Sequence, residues 1–270
     1  MEKSIEARLE EIFKEWYDEI RKNEGDDKKF TKDGIMFNEN IPVNEIEDIW
    51  KKSSRRVLFL LKDQNQNDEK KWSEDIRYWL RVTELDRDKE HNKKSEQTII
   101  RKEKNKNLQY PFIRKLAYLL WGLSKIDKNN NWYDDEVNKH FDEVKQFFNT
   151  QPFALVECKK LPGGGKVKNS EVKRHIKKYG EYLKNEIKVI DPNIIVCMSG
   201  NDGHHFLINQ LCVNGELETC SKNVHIYREN GKETLIIFSY HPSCSRYNYG
   251  DFMYNCRDII KNNFSAEAIK

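Results

Sequence analysis

The first segment of the chain is amphipathic. Apolar side chains recur there at helical spacing and predict a helix over residues 4–23, within an N-terminal segment of residues 1–25. The side chains of its apolar face are Ile5, Leu9, Ile12, Phe13, Trp16 and Ile20. The same spacing predicts further helices over residues 110–125, 133–148, 170–190 and 250–264. Each of these segments has one apolar face that must pack against another layer of structure.

Four other segments are short and continuously apolar, a pattern typical of strands that are covered on both faces of a sheet. They are Val57–Leu61, Phe153–Val156, Asn193–Met198 and Thr234–Phe238. Because predicted helices separate most of them, we expect an α/β protein: a three-layer α/β/α sandwich with a central, mostly parallel four-stranded sheet. Val224–Tyr227 is expected to pair as an edge strand across the turn at residues 229–231.

Composition narrows the class of protein without indicating a partner. Lys and Arg total 48 against 45 Asp and Glu, and a net charge of +3 does not point to a polyanion. The longest apolar runs are strand-sized, well short of the ~20 residues that a bilayer requires. Residues 1–13 lack the apolar core of a signal peptide. We therefore expect a cytoplasmic protein, folded as one domain over residues 1–270 with a charged insertion at about 68–107, and no membrane association.

Metals and other cofactors are not expected. The six cysteines show no CxxC spacing, so the sequence predicts reduced thiols rather than a structural zinc or iron–sulfur site. His204 and His205 are adjacent, and adjacent residues seldom bind one ion together.

Polar residues follow each of the four apolar runs, and in a parallel sheet such strand ends meet at one edge. The motifs there are Lys62-Asp63-Gln64-Asn65, Val156-Glu157-Cys158-Lys159-Lys160, Met198-Ser199-Gly200 and Tyr240-His241-Pro242-Ser243. In this order, after buried strands, they resemble the uracil-DNA glycosylase superfamily over residues 30 to 260, apart from the charged insertion. The upstream Lys32-Asp33-Gly34-Ile35 is similar to the corresponding segment of divergent members.

The resemblance implies a role for each strand end. Cleavage of an N-glycosidic bond passes through an oxocarbenium-like sugar. Asp63 would orient the attacking water and stabilise this cation, Asn65 would help to hold the water or the substrate, and His241 would donate a hydrogen bond to the departing base. The other residues expected at the base are Gln64, Glu157, Gly200 and Tyr240. The alternatives are that Asp63 caps the next helix and that His241 is a packed turn histidine.

Glu157 departs from the family's pattern. The residue that recognises uracil in this family is usually an Asn, which both donates and accepts hydrogen bonds. An ionised carboxylate only accepts, and it suits the amino group of cytosine better than the carbonyl of uracil. We therefore expect the excised base to be a cytosine derivative, enlarged or not by modification. The alternative is that Glu157 forms a structural ion pair with Lys159 or Lys62.

A glycine-rich loop after the second apolar run is the expected contact to the DNA backbone. Backbone N–H groups at glycine can approach a phosphate closely, and flanking lysines neutralise its charge. The residues expected to bind DNA are Lys160, Gly163, Gly164, Gly165, Lys166 and Lys168, with Ser243 and Arg246 after the histidine motif. The alternative is a plain flexible loop.

The sequence thus predicts a monofunctional DNA glycosylase that binds DNA, flips out a base and hydrolyses its glycosidic bond with water, without metal or cofactor. Two alternatives remain open. One is a catalytically silent DNA-binding module on the same fold, and the other is a nucleotide or nucleoside hydrolase that uses the same cleft.

Overall fold

Helices account for much of the chain that the structure describes. This computed structural model describes residues 3–25, 28–36, 41–65, 74–78, 111–125, 141–163 and 167–242. The helices are α1 (Ile5–Glu24), α2 (Ile46–Lys52), α3 (Pro111–Lys125), α4 (Phe141–Thr150), α5 (Asn169–Ile190) and α6 (Asn201–Phe206). None of the helices in these ranges is long and apolar enough to cross a bilayer. The predicted helix over residues 250–264 and most of the charged insertion lie outside the described residues.

Seven strands form one mixed sheet. They are β1 (Gly34–Ile35), β2 (Val57–Asn65), β3 (Ala154–Gly163), β4 (Ile194–Cys197), β5 (Glu216–Thr219), β6 (Val224–Glu229) and β7 (Lys232–Phe238). The order across the sheet is β1-β3-β2-β4-β7-β6-β5. The four central strands, β3, β2, β4 and β7, are parallel to one another, whereas β1, β6 and β5 are added antiparallel at the two sides. The predicted α/β class and the parallel four-stranded centre are confirmed.

The limits of several strands differ from the prediction. β2 and β3 continue well past their apolar runs, because backbone pairing extends from Leu61 opposite Glu157 to Asp63 opposite Lys159. Asp63 and Glu157 are therefore strand residues rather than loop residues. The segment at 224–229 pairs with β7 as predicted, but it is not an edge strand, since β5 pairs with its other side.

Helices cover both faces of the sheet. Alternate residues of the central strands, such as Phe59 and Leu155, pack with α3 and α4 on what we call the α3 face. Their neighbours, such as Leu60 and Val156, pack with α1, α2 and α5 on the α5 face. The period of two along each strand therefore decides which layer receives each side chain.

The α5 face contains a buried ionic cluster formed by Lys160, Asp33 and Glu186, all with fully buried side chains. The Lys160 ammonium donates to Asp33 Oδ1 and, at 3.0 Å, to Glu186 Oε1. It also lies 5.2 Å from the centre of the Trp16 ring. Burial, followed by the negative charge of Asp33, raises the pKa of Glu186, and the Lys160 ammonium opposes this shift. The expected contact between Lys160 and DNA is wrong, because this side chain has no access to solvent.

The cluster predicts a large effect of removing its cation. Lys160→Met should lower the free energy of unfolding by about 3–5 kcal/mol, because it leaves a buried carboxylate without a partner. The matched control is Lys232→Met, whose ammonium pairs with Asp191 while 70% exposed, and which should cost less than about 1 kcal/mol. Urea unfolding of the two variants measures the difference. Equal costs would show that the cluster does not stabilise the fold.

Candidate active site

The parallel strands define a common level from which the site is built. Leu60 pairs with Val156 on one side and with Cys197 on the other, and Cys197 pairs with Phe238. These four residues form the last row in which all four parallel strands are paired. Every residue beyond this row stands at the carboxyl edge of the sheet, where ligands of α/β proteins bind.

Four of the predicted site residues follow this row. Glu157 is one residue beyond it, and Asp63, Gly200 and His241 are each three residues beyond it. Glu157 therefore lies about 7 Å deeper along the strand direction than Asp63. Since neighbouring strands are about 4.8 Å apart, β3 and β7 are separated by about 14 Å across this edge.

Asp63, Glu157 and His241 also share one face of the sheet. Asp63 and Glu157 follow Leu61 and Leu155 by two residues each, so their side chains point to the α3 face. The His241 ring lies 5.9 Å from the ring of Phe112 in the first turn of α3. The fold therefore places the three side chains at one edge and on one face of the sheet, and their convergence on one base stays a prediction.

Asp63 is a buried carboxylate with weak compensation. The residue is 8% exposed, and the nearest cation of the described residues is the Lys159 ammonium, 3.8 Å from Oδ2. None of the described residues donates a hydrogen bond to Oδ2. Burial raises the pKa of Asp63 from 3.8 to about 6, against the opposing charge of Lys159 and with a contribution from Glu171. Asp63 is therefore ionised at neutral pH but takes up a proton in mild acid.

Glu157 is buried more deeply, and its surroundings disfavour its ionised form. It is 4% exposed, and its backbone N–H donates to Asp33 Oδ2 at 2.7 Å. Burial, followed by the negative charges of Asp33 and Asp63, raises the pKa of Glu157 well above its usual value, and Lys160 opposes them. Neither alternative ion pair forms among the described residues, since Lys159 is close to Asp63 and Lys62 donates to Asn169. The expected contact of Glu157 with a base stays a prediction, and these surroundings favour the neutral carboxyl group, which can donate as well as accept.

His241 is a neutral imidazole. Burial, followed by the nearby ammonium groups of Lys62 and Lys115, lowers its pKa from 6.5 to about 4. The ring can thus donate one hydrogen bond at neutral pH without carrying a charge, which suits contact with a base oxygen on which negative charge develops.

Two further residues, Lys62 and Phe112, belong to this edge and were not expected in the site, since Lys62 was named only as an alternative ion-pair partner of Glu157. Lys62 donates to Asn169 Oδ1 at 3.0 Å, and a Cβ atom on Gly200 would lie 3.4 Å from its Cε. Its charge acts on both Asp63 and His241. Phe112 places an aromatic ring beside His241. The alternation of side chains along β2 could have predicted that Lys62 and Asp63 lie on opposite faces of the sheet. Nothing in the apolar pattern of α3, however, distinguishes Phe112 from a core residue.

The other predicted site residues divide into described and undescribed positions. Gly200 is the N-cap residue of α6 and has φ +76°, a value that residues with a side chain rarely adopt. Tyr240 is 58% exposed, and Lys168 is exposed just before α5. Gln64, Asn65 and Gly163 lie in β2 and β3, and only their backbones are described. The residues outside the described part are Gly164, Gly165, Lys166, Ser243 and Arg246.

A metal centre has no counterpart in the part of the chain that the structure describes, where no group of three His, Cys, Asp or Glu side chains could hold an ion. The described cysteines are free thiols. His204 stacks on the Phe238 ring, with 3.6 Å between the ring centres. Its role is therefore packing.

Comparison with known families agrees with this geometry. The protein has the fold of the α/β class, whose members bind their ligands at the carboxyl edge of the sheet. The family model of the Uracil DNA glycosylase superfamily matches residues 101–264, more than half of the chain, and the chain belongs to that superfamily. The match includes Glu157, Gly200 and His241, whereas Asp63 precedes it. A search of curated proteins found no match.

The buried carboxylate of Asp63 predicts a pH-dependent stability. Because its pKa is raised in the folded state, its favourable contribution is present below about 3.8 and is lost as the pH rises through about 6. Asn cannot ionise, so the free energy of unfolding of Asp63→Asn relative to the wild type should increase from pH 5 to pH 8. The increase should be up to about 2 kcal/mol after allowance for solvent screening. Thermal unfolding at both pH values measures this, with the exposed Asp48→Asn as control. A difference independent of pH would contradict the burial of Asp63.

Proposed function

We propose that the protein is a monofunctional DNA glycosylase that hydrolyses the N-glycosidic bond of a base flipped out of DNA. One observation supports this most strongly. Two buried carboxyl groups with raised pKa values and a neutral histidine lie at one edge of the sheet, in a chain of the Uracil DNA glycosylase superfamily. Members of this superfamily act on N-glycosyl bonds in DNA in general. We treat residues 1–270 as one domain with this function.

In this proposal Asp63 acts on the sugar. The transition state carries positive charge at the anomeric carbon. An ionised Asp63 orients the attacking water, stabilises this charge and accepts the proton of the water. Its raised pKa makes it a better base than an exposed carboxylate, while it stays ionised at neutral pH. Asn65, two residues further along β2, is proposed to hold the water or the substrate.

His241 acts on the departing base. Its neutral ring donates a hydrogen bond to a base oxygen, where negative charge grows as the bond breaks. Phe112, beside His241, is proposed to stack on the face of the base. Gln64 and Gly200 contact the base at the edge of the sheet, and the exposed Tyr240 contacts the nucleotide from outside.

The preferred base is proposed to be a cytosine derivative. The carbonyl oxygen of the Glu157 carboxyl group accepts a hydrogen bond from an exocyclic amino group, and its protonated oxygen donates one to the adjacent ring nitrogen. Unmodified cytosine is abundant in DNA, so a substituent on the ring is expected to mark the base that is removed.

DNA is proposed to approach over the first turn of α5. Lys168 is exposed there, and the N-terminal N–H groups of α5 favour phosphate. Gly163, the undescribed loop residues Gly164, Gly165 and Lys166, and Ser243 and Arg246 after the histidine motif, complete the proposed backbone contact.

The glycosylase proposal is tested by release of free base. Wild-type protein is incubated with duplexes and single strands that carry uracil or one of several modified cytosines, and released bases are identified by mass spectrometry. Asp63→Asn should reduce the rate by about 10²–10⁴-fold, and His241→Ala by about 10²–10³-fold. The wild-type rate should fall as the pH decreases through about 6, where Asp63 takes up a proton.

The control for this assay is Lys232→Met, which changes an exposed charge away from the site and should leave the rate unchanged. DNA binding without release of any base would favour the silent binding module instead. Turnover of free nucleosides that excess duplex does not inhibit would favour the nucleoside hydrolase.

The DNA contact is tested with two lysines of α5. Lys168 and Lys188 are both exposed but stand about 30 Å apart along the helix. Lys168→Ala should weaken binding to any DNA sequence. It should also reduce the magnitude of the negative slope of log affinity against log salt concentration by about 1. Lys188→Ala should change neither. Identical behaviour of the two variants would remove the first turn of α5 from the DNA interface.

A further inference from the structure

Glu157 has the features of a proton donor rather than a passive contact. Its side chain is 96% removed from solvent, and its Oε2 has no hydrogen-bond partner among the described residues. An unpaired polar atom at such depth costs about 1–3 kcal/mol. Glu157 carries this cost one residue beyond the last complete row of the sheet. We infer that a bound ligand supplies the missing hydrogen-bond partner of Oε2.

The surroundings of Glu157 oppose its ionisation. The charged groups that act on it are Asp33 before β1, Asp63 on β2 and Lys160 on β3. Asp33 holds the backbone N–H of Glu157, so its negative charge is fixed close to this residue. The Lys160 ammonium is bound to Asp33 and Glu186 on the opposite face of the sheet. Of the described residues, Lys160 is the cation that acts on Glu157, and its bonds to Asp33 and Glu186 hold it on the other face.

We propose that Glu157 is the general acid of the reaction and gives its proton to the ring nitrogen beside the amino group of a cytosine-type base as that base departs. This inference rests on the proposed glycosylase function and deepens it. Asp33 is a positioning residue in this proposal: it holds the Glu157 backbone and keeps the Glu157 carboxyl group protonated.

The proton balance closes within the site. The O–H bond of Glu157 breaks and an N–H bond forms at N3 of the base, while the glycosidic electron pair moves to N1. The base therefore leaves as a neutral molecule. Water attacks the anomeric carbon and its proton passes to Asp63. Asp63 is then protonated and Glu157 ionised, and transfer of this proton from Asp63 back to Glu157 restores both groups for the next turnover.

The proposal separates two kinds of base. N3 of a cytosine-type base has a basic lone pair, so proton transfer from Glu157 lowers the barrier to departure. In uracil N3 carries a proton, and the carboxyl group can only form hydrogen bonds to N3–H and O4. Glu157 should therefore accelerate the release of cytosine-type bases far more than that of uracil.

Glu157→Gln tests this difference, because the amide keeps one donor and one acceptor but cannot transfer a proton. Single-turnover release of the cytosine-type base should fall by about 10²-fold or more. The affinity for the same duplex should stay within about 3-fold of the wild type, which is less than the tenfold change that corresponds to 1.4 kcal/mol. Uracil release, where the wild type shows it, should stay within the same limit. An unchanged rate on the cytosine-type base, or a loss of affinity in place of rate, would overturn the proposal.

Asp33→Asn tests the positioning role. It keeps an acceptor for the Glu157 N–H but removes the nearby negative charge. The rate should fall at high pH, where Glu157 loses its proton, and this alkaline limb should move to lower pH in Asp33→Asn. An alkaline limb at the same pH in both proteins contradicts the role of Asp33.

A spectroscopic measurement keeps the proposal testable if Asp33→Asn does not fold. Infrared difference spectra at pH 7 should contain a protonated-carboxyl C=O band in the wild type that is missing from Glu157→Gln. No such difference would overturn the assignment. If the wild type releases base and Glu157→Gln does so at the same rate, only the general-acid role of Glu157 is rejected. If the wild type releases no base, the proposed glycosylase function itself is rejected.

Discussion

A lysine ammonium group that is fully enclosed must keep an opposite charge beside it. Lys160 meets this requirement with Asp33 and Glu186, which come from the segment before β1 and from α5. Moving any of these elements would separate charges at low dielectric constant. The same Asp33 also accepts the N–H of Glu157. The interaction that holds the core layers together thus also fixes the deepest residue of the candidate site.

The two faces of β3 use charge in opposite ways. On the α5 face an ammonium group and a carboxylate compensate each other, and the result is structural. On the α3 face Glu157 and Asp63 are buried with little compensation, so the pKa values of both rise. Their different depths and neighbours are the basis on which we propose separate acid and base roles for them. The cost of their burial is borne by the hydrophobic packing of α3 and α4.

The centre of the sheet could be predicted from sequence because continuous apolar runs report strands buried on both faces. The strand ends could not, since backbone pairing continues through Asp63 and Lys159 regardless of side-chain polarity. β5 was missed because its residues are mostly exposed and carry no apolar signal. The site positions followed from the strand ends and the family motifs. Lys160, in contrast, was placed in the DNA contact because its sequence neighbours are a lysine and a glycine loop, and only tertiary structure reveals its buried partners.

Lys159 and Lys160 are consecutive and chemically identical, yet they serve opposite layers of the molecule. The Lys159 ammonium group lies beside the Asp63 carboxylate, and the Lys160 ammonium group binds Asp33. Loss or gain of a single residue in β3 ahead of this pair would exchange the two, sending one ammonium group to the wrong carboxylate and Glu157 into the hydrophobic interior. Along this stretch the length of the chain is therefore constrained by parity: only changes by an even number of residues leave both layers with the charges that they require.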